Sequence, residues 1–106
     1  MYPGSLEPPV KEGGATMAVM VTFTLKTDPA TYRSLHPKML PMARAAGMLF
    51  HSGRVVGSQV GITDFWPSED AWRKFSTGPL VEGMKAAGIA PPDDLVVTPV
   101  LNADGR

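Results

Sequence analysis

The sequence predicts one small α+β domain over residues 17–102, with its elements in the order β-α-β-β-α-β. Three observations support this prediction. Segments whose apolar residues alternate with a period of two are separated by segments whose apolar residues recur every three or four positions, which distinguishes strands from helices. Proline and glycine fall at most of the boundaries between these segments. The chain has 106 residues, a length that suits a single domain.

The first strand and the first helix meet near Asp28. Residues 17–26 carry apolar side chains on both faces, as in a strand that is covered on both sides. Asp28 and Pro29 suit the N-cap and the first helical position, so a helix begins there. Pro37 and Pro41 lie inside this helix, and because each removes an intrahelical hydrogen bond we predict a kink or a break.

Two more strands, an interrupted helix and a last strand complete the order. A turn with Gly53 or Gly57 at a position of positive φ separates the two middle strands. Ser68 suits the N-cap of the second helix, and Gly78 and Pro79 interrupt that helix before it resumes. The predicted bounds are 48–54 and 55–66 for the middle strands, 68–88 for the helical region and 95–101 for the last strand.

This order is the ferredoxin-like plan, a four-stranded antiparallel sheet with both helices on one face. The other face of such a sheet needs a cover, and a second copy of the chain is the simplest one. Size points the same way, because a domain this short buries only roughly 60–65% of its unfolded surface as a monomer. We therefore predict a homodimer.

The two ends of the chain differ from the domain. Residues 1–16 are interrupted throughout by proline and glycine, and we expect a disordered leader there. We predict that Met17 is the natural start or that the leader is an added extension, and the alternative is a flexible arm that wraps a partner. Residues 103–106 form a polar tail.

Composition excludes several classes of function. Ten basic and ten acidic residues give a net charge of zero, and without a basic stripe we expect no nucleic-acid partner. Cysteine is absent, so disulfides, thiolate nucleophiles and cysteine-ligated metals are excluded. No apolar run approaches the length of a membrane span and the leader lacks the apolar core of a secretory signal. We expect no membrane association and a cytoplasmic location.

One passage of the sequence resembles a known family. Residues 64–75 (DFWPSEDAWRKF), followed by Gly78 and Pro79, resemble the strand-Trp-helix passage of the antibiotic-biosynthesis-monooxygenase group of dimeric α/β barrels. Residues 46–51 (AGMLFH) resemble the end of that family's first helix and its Gly-Phe entry into strand two, and residues 97–102 (VTPVLN) resemble its closing strand. The resemblance extends over the whole predicted domain and implies the same fold.

The resemblance implies several chemistries. Members of the group oxygenate aromatic polyketides with O2 and no metal or flavin, degrade haem, cyclise polyketides, or isomerise or dehalogenate small acids. The haem degraders use an Asn on strand one, a Trp at the end of strand three and a His on the second helix. Trp66 matches here, but strand one has Thr22 and Thr24 and the second helix has no histidine, which disfavours haem degradation. Trp66 and Tyr32 match residue types that the cofactor-free oxygenases use.

Three residues are candidates for proton transfer. His36 and His51 are the two histidines of the chain, and because imidazole titrates near neutral pH either is a candidate general base. Both line one cleft if the first helix crosses the sheet; the alternatives are a helix-end histidine and a solvated strand residue. Asp64 is a candidate base or a partner that orients a histidine, and otherwise a solvated edge charge.

Four aromatic residues, Trp66, Tyr32, Phe50 and Trp72, are the candidates for ligand binding. Their flat faces suit a planar apolar ligand, whereas the alternative for the two tryptophans is packing in the core or at a dimer interface. A metal site would need a third ligand beside the two histidines, with Asp64 the nearest suggestion. No dinucleotide or phosphate-loop motif occurs, so we expect no metal and no cofactor.

Two hypotheses about function follow. In the first, the chain is a cofactor-independent monooxygenase that acts on a small hydrophobic or aromatic, polyketide-like molecule. In the second, it is a non-catalytic ligand-binding or accessory dimer of the same fold. The orientation of the histidines discriminates between them, because a general base must face a cavity.

Overall fold

The structure, a computed structural model, describes residues 17–102, so the predicted leader and tail lie outside the described residues. Seven elements follow one another in the predicted order. They are β1 (Val19–Leu25), α1 (Pro29–Ala45), β2 (Phe50–Val56), β3 (Gln59–Trp66), α2 (Glu69–Ser76), α3 (Pro79–Ala86) and β4 (Val96–Pro99). The interruption predicted at Gly78 and Pro79 separates α2 from α3. Within this range no helix is both long and apolar enough to cross a bilayer.

The strands form one sheet in the order β2-β3-β1-β4, and each neighbouring pair is antiparallel. The long central pair aligns Val21 of β1 with Asp64 of β3, and β2 aligns His51 with the same Asp64. Since side chains alternate between the two faces of a strand, all three residues face the helices. The predicted ferredoxin-like α+β fold is confirmed.

The core lies between the sheet and the helices. Alternate residues of β1 and β3 are buried on the helix side, and α2 and α3 add aromatic and methionine side chains to them. The opposite face of β1, which carries Met20, Thr22 and Thr24, is half-buried. The prediction that both faces of this strand are covered is therefore only partly met within the described residues.

Helix α1 runs without a break through Pro37 and Pro41, so the predicted break is wrong. Each proline removes the N–H that would bond to a carbonyl four residues earlier, at Arg33 and at Pro37. Arg33, Pro37 and Pro41 are all exposed, which leaves water free to hydrate those carbonyls. Asp28 caps the helix as predicted, because its carboxylate accepts a hydrogen bond from the backbone N–H of Thr31 at 2.8 Å.

The turn and the last strand also differ in detail from the sequence prediction. Gly57, with φ of 59°, forms the turn between β2 and β3, whereas Gly53 lies inside β2. Strand β4 is shorter than predicted. The side chain of Asp94, just before it, accepts hydrogen bonds from the backbone N–H of Thr24 at 2.9 Å and from its hydroxyl at 2.7 Å. This carboxylate continues the pairing of β1 where the backbone of β4 does not.

Candidate functional site

Two adjoining cavities lie between α1 and the helix-facing side of the sheet. The inner cavity, of about 70 Å³, is lined almost entirely by apolar side chains, including Phe23, Ile62 and Met84. The outer cavity, of about 330 Å³, opens beside the start of β2. His36 and His51 line both cavities, so the two histidines lie where the cavities meet. The geometric condition for a general base is met.

Three polar side chains in the wall of the inner cavity form a hydrogen-bonded chain, the Tyr32–His51–Asp64 array. Nδ1 of His51 lies 2.7 Å from Oδ1 of Asp64, and Nε2 of His51 lies 2.5 Å from the Tyr32 hydroxyl. The pairing of β2 with β3 places His51 directly opposite Asp64. The first turn of α1 brings Tyr32 over the same strand pair.

Charge and burial fix where the protons lie in this array. Asp64 is only 5% exposed, and its carboxylate accepts the hydrogen of His51 Nδ1. Burial and the charge of Asp64 raise the pKa of Tyr32, so the phenol keeps its proton and donates it to Nε2 of a neutral His51. When His51 is charged, its Nε2–H donates to the Tyr32 oxygen instead, and the phenol hydrogen is free to bond elsewhere. The array therefore accepts one proton without a change in its geometry.

His36 lies beside this array on the next turn of α1. Its ring stacks on that of His51, with ring centroids 5.2 Å apart, and lies 5.4 Å from that of Tyr32. Burial, the charge of His51 and the charge of Arg44 all lower the pKa of His36. His36 is consequently neutral at neutral pH and able to accept a proton.

No family model matches this chain, and no curated protein is similar enough to match it. Solved structures, however, share its fold. SnoaB, a cofactor-independent oxygenase from Streptomyces nogalater, is 14% identical with a TM-score of 0.59, and the match covers 85% of this chain and 97% of that one. A candidate antibiotic biosynthesis monooxygenase from Chloroflexus aurantiacus is 16% identical with a TM-score of 0.61, covering 83% and 97% of the two chains.

A third match is the ActVA-Orf6 monooxygenase of Streptomyces coelicolor, whose structure contains the ligand nanaomycin D. It is 23% identical with a TM-score of 0.54, and the match covers 91% of this chain and 96% of that one. The chain has the antibiotic-biosynthesis-monooxygenase-like fold. At these identities the likeness is one of fold.

The two tryptophans lie in the core behind the inner cavity, and neither of them lines either cavity. Trp66 is fully buried, with ring centroids 5.8 Å from Trp72 and 5.2 Å from Phe75. Trp72 is also buried and contacts Phe23, with ring centroids 6.2 Å apart. A direct role of Trp66 or Trp72 in ligand binding stays a prediction that the cavity geometry does not support.

Phe50, the remaining ligand-binding candidate, lines the outer cavity and is 44% exposed. Its ring meets the edge of Phe65 on the open face of the sheet, with centroids 5.9 Å apart. Tyr32 lines the inner cavity as part of the array. Of the four aromatic candidates, Tyr32 therefore faces the inner cavity, whereas Phe50 borders the outer cavity with its ring on the open face of the sheet.

Sequence reasoning missed Arg44 and the bond between Tyr32 and His51. A signal was available in the helix itself. Tyr32, His36, Leu40 and Arg44 follow one another at intervals of four, and such residues share a face of a helix. All four line one or both cavities. The described residues include no group of three potential metal-ligating side chains.

Proposed function

We propose that this chain is a cofactor-independent monooxygenase that acts on a small, largely apolar aromatic molecule. The observation that carries the proposal is the Tyr32–His51–Asp64 array in the wall of an otherwise apolar cavity. A histidine held between a carboxylate and a phenol is oriented as a base, and the apolar surroundings strengthen its electrostatic interactions. The fold shared with SnoaB and ActVA-Orf6 agrees with this chemistry without establishing it.

The proposed reaction begins with removal of a proton from the substrate. His51 accepts the proton through Nε2, directly or by way of the Tyr32 hydroxyl, and Asp64 stabilises the charge that His51 gains. A deprotonated, electron-rich aromatic molecule can reduce O2 itself. When a methylene group becomes a carbonyl, one oxygen atom enters the product and the other leaves as water. The carbon then supplies all four electrons that O2 takes up, so no external reductant is needed.

His36 is the alternative base at the same place. It is neutral at neutral pH, its ring stacks on that of His51, and it lines both cavities. No carboxylate in residues 17–102 forms a hydrogen bond with it, in contrast to His51. We therefore assign the proton transfer to His51 and expect His36 to position the ligand.

The test is oxygen uptake by the purified protein with a panel of phenolic and anthrone-type aromatic compounds. Uptake that depends on the protein, yields one carbonyl per O2 and is lost in His51→Ala is the expected result. His36→Ala, the matched control, is expected to retain a measurable rate. The absence of protein-dependent uptake across the panel, or full activity of His51→Ala, would contradict the proposal.

The second candidate function is a non-catalytic ligand-binding protein of the same fold. It is favoured by the small volume of the inner cavity, about 70 Å³, which Met39, Met48 and Met84 help to line. This function predicts that aromatic compounds raise the melting temperature of the protein while oxygen uptake stays at the background rate. The same panel therefore separates the two functions.

We also propose a homodimer in which a second copy packs on the open face of the sheet. Phe50, Val56 and Val96, which the strand pairing places on that face, are between 41% and 54% exposed. Such apolar exposure is typical of an interaction surface. Light scattering at micromolar concentration is expected to give twice the mass of the chain, and a monomer mass would contradict the dimer. A cytoplasmic location stays a prediction from the sequence.

A further inference from the structure

We infer that the substrate carries a carboxylate-type anionic group and that Arg44 binds it in the outer cavity. The inference rests on the proposed function, which it deepens by naming a class of substrate. Arg44 lies in the last turn of α1 and lines the outer cavity together with His36 and His51. The described residues that line this cavity include no carboxylate.

The guanidinium of Arg44 forms no ion pair or hydrogen bond with another described residue, whereas two other cations are paired. Arg73 pairs with Glu69 and Asp70, and Lys26 pairs with Asp93. A guanidinium in a cavity without a protein acceptor is available to a ligand, and its planar N–H groups match the two oxygens of a carboxylate. The alternative role of Arg44 is to stabilise the C-terminus of α1 through the helix dipole. That role would not require Arg44 to line a cavity.

The positive charge of Arg44 acts at the centre of the site. After burial and the charge of His51, it is the third cause of the lowered pKa of His36, whose ring stacks on that of His51. A carboxylate bound at Arg44 would therefore lie within the electrostatic reach of both histidines. Its binding would also offset the unfavourable interaction of Arg44 with a protonated His36.

The two cavities together orient such a molecule. The apolar rings lie toward the inner cavity, where Met39 and Met84 can change rotamer to admit them. The anionic group remains at Arg44 in the outer cavity. The part of the molecule between them then lies at the junction, beside His51 and the Tyr32 hydroxyl.

The experiment compares a hydroxynaphthoate with its uncharged primary amide, which has nearly the same shape. Dissociation constants are measured by calorimetry for the wild-type protein, Arg44→Gln and Lys38→Gln. Lys38 is the matched control, because it is an exposed cation on the same helix that lines neither cavity. We expect the acid to bind the wild-type protein about tenfold more tightly than the amide.

Arg44→Gln is expected to remove this preference, whereas Lys38→Gln keeps it. Arg44→Lys retains the charge without the planar fork and is expected to keep part of the preference. Salt provides a test without any variant, since raised ionic strength should weaken binding of the acid and leave the amide unaffected. Equal affinities of the two ligands for the wild-type protein, no binding of either, or a preference that survives in Arg44→Gln would overturn the inference.

The outcomes also separate this inference from the proposed function. A preference for the acid that depends on Arg44, without oxygen uptake, supports the anion site and contradicts the monooxygenase. Oxygen uptake with uncharged substrates at the same rate as with their acids, unchanged in Arg44→Gln, supports the monooxygenase and overturns the anion site.

Discussion

The hydroxyl of Tyr32 occupies space above Gly53 that a side chain at that position would fill. A Cβ atom at Gly53 would lie 2.6 Å from the Tyr32 oxygen and 2.7 Å from its Cζ, well inside normal contact distances. Gly53 lies two residues after His51 on the same face of β2. The glycine thus allows Tyr32 to approach the strand closely enough to bond to His51.

Gly53→Ala is therefore expected to displace Tyr32 and to destabilise the protein by about 1–3 kcal/mol, the usual cost of overpacking. In a Tyr32→Ala background the added methyl group no longer clashes with the phenol ring. The effect of Gly53→Ala on stability is then expected to be neutral or stabilising. Urea unfolding of the four proteins in this cycle gives the coupling free energy. Equal effects of Gly53→Ala in both backgrounds would show that the close approach is not a constraint.

Asp64→Asn is expected to lower the rate of oxygen uptake by about 10²-fold, because the negative charge that stabilises protonated His51 is lost. Ligand affinity should change by less than about threefold, since asparagine keeps the shape and volume of the side chain. The pH profile of the rate should also shift, which a purely structural role would not produce. Asp70→Asn, a change to an exposed carboxylate paired with Arg73, is the control and is expected to leave the rate unchanged.

The pKa of His36 is expected to lie below its ordinary value of 6.5, with burial as the largest cause, followed by the charges of His51 and Arg44. Proton NMR titration of the imidazole checks this. Arg44→Gln should raise the pKa, whereas Lys38→Gln should not. Because the folded state holds the lowered pKa, protonation favours unfolding, so stability should fall as the pH drops below about 6.5. A pKa at or above the ordinary value would contradict this arrangement.

Asp94→Asn is expected to destabilise the protein in a pH-dependent way. Hydrogen bonds from the side chain and the backbone of Thr24 lower the pKa of Asp94 below its ordinary value of 3.8. Their stabilising contribution is present above that value and is lost as the pH falls through the lower pKa of the folded state. The difference in urea midpoint between wild type and variant should therefore shrink in acid. A difference that is constant between about pH 7 and about pH 2 would contradict the assignment.

Trp66→Phe is expected to cost less stability than Trp72→Phe, although the two buried rings pack against each other. The indole N–H of Trp66 is buried without a hydrogen-bond partner among the described residues. Phenylalanine removes this donor, whose burial without a partner costs about 1–3 kcal/mol. This gain offsets part of the stability that the smaller ring loses. Thermal unfolding of both variants measures the difference, and a larger loss for Trp66→Phe would contradict the expectation.

Much of the fold was predictable because its determinants are local. The cap at Asp28, the break at Gly78 and Pro79, and the alternation along β1 each depend on a few neighbouring residues. The continuity of α1 through Pro37 and Pro41 was not predictable. It depends on which side of the helix the prolines face, and packing against the sheet decides that.

The site was predictable only as a set of residue types. The sequence by itself determined the order of the elements, because the periodicity of apolar residues is a local property. It also supplied His36, His51 and Asp64 as the groups able to move a proton, because that ability depends on residue type. Only the tertiary structure decided that the pairing of β2 with β3 sets His51 against Asp64, and that α1 brings Tyr32 to the other nitrogen. Contacts between residues 13 and 19 positions apart depend on strand register and on where a helix crosses a sheet, and both are set by the packing of the whole core.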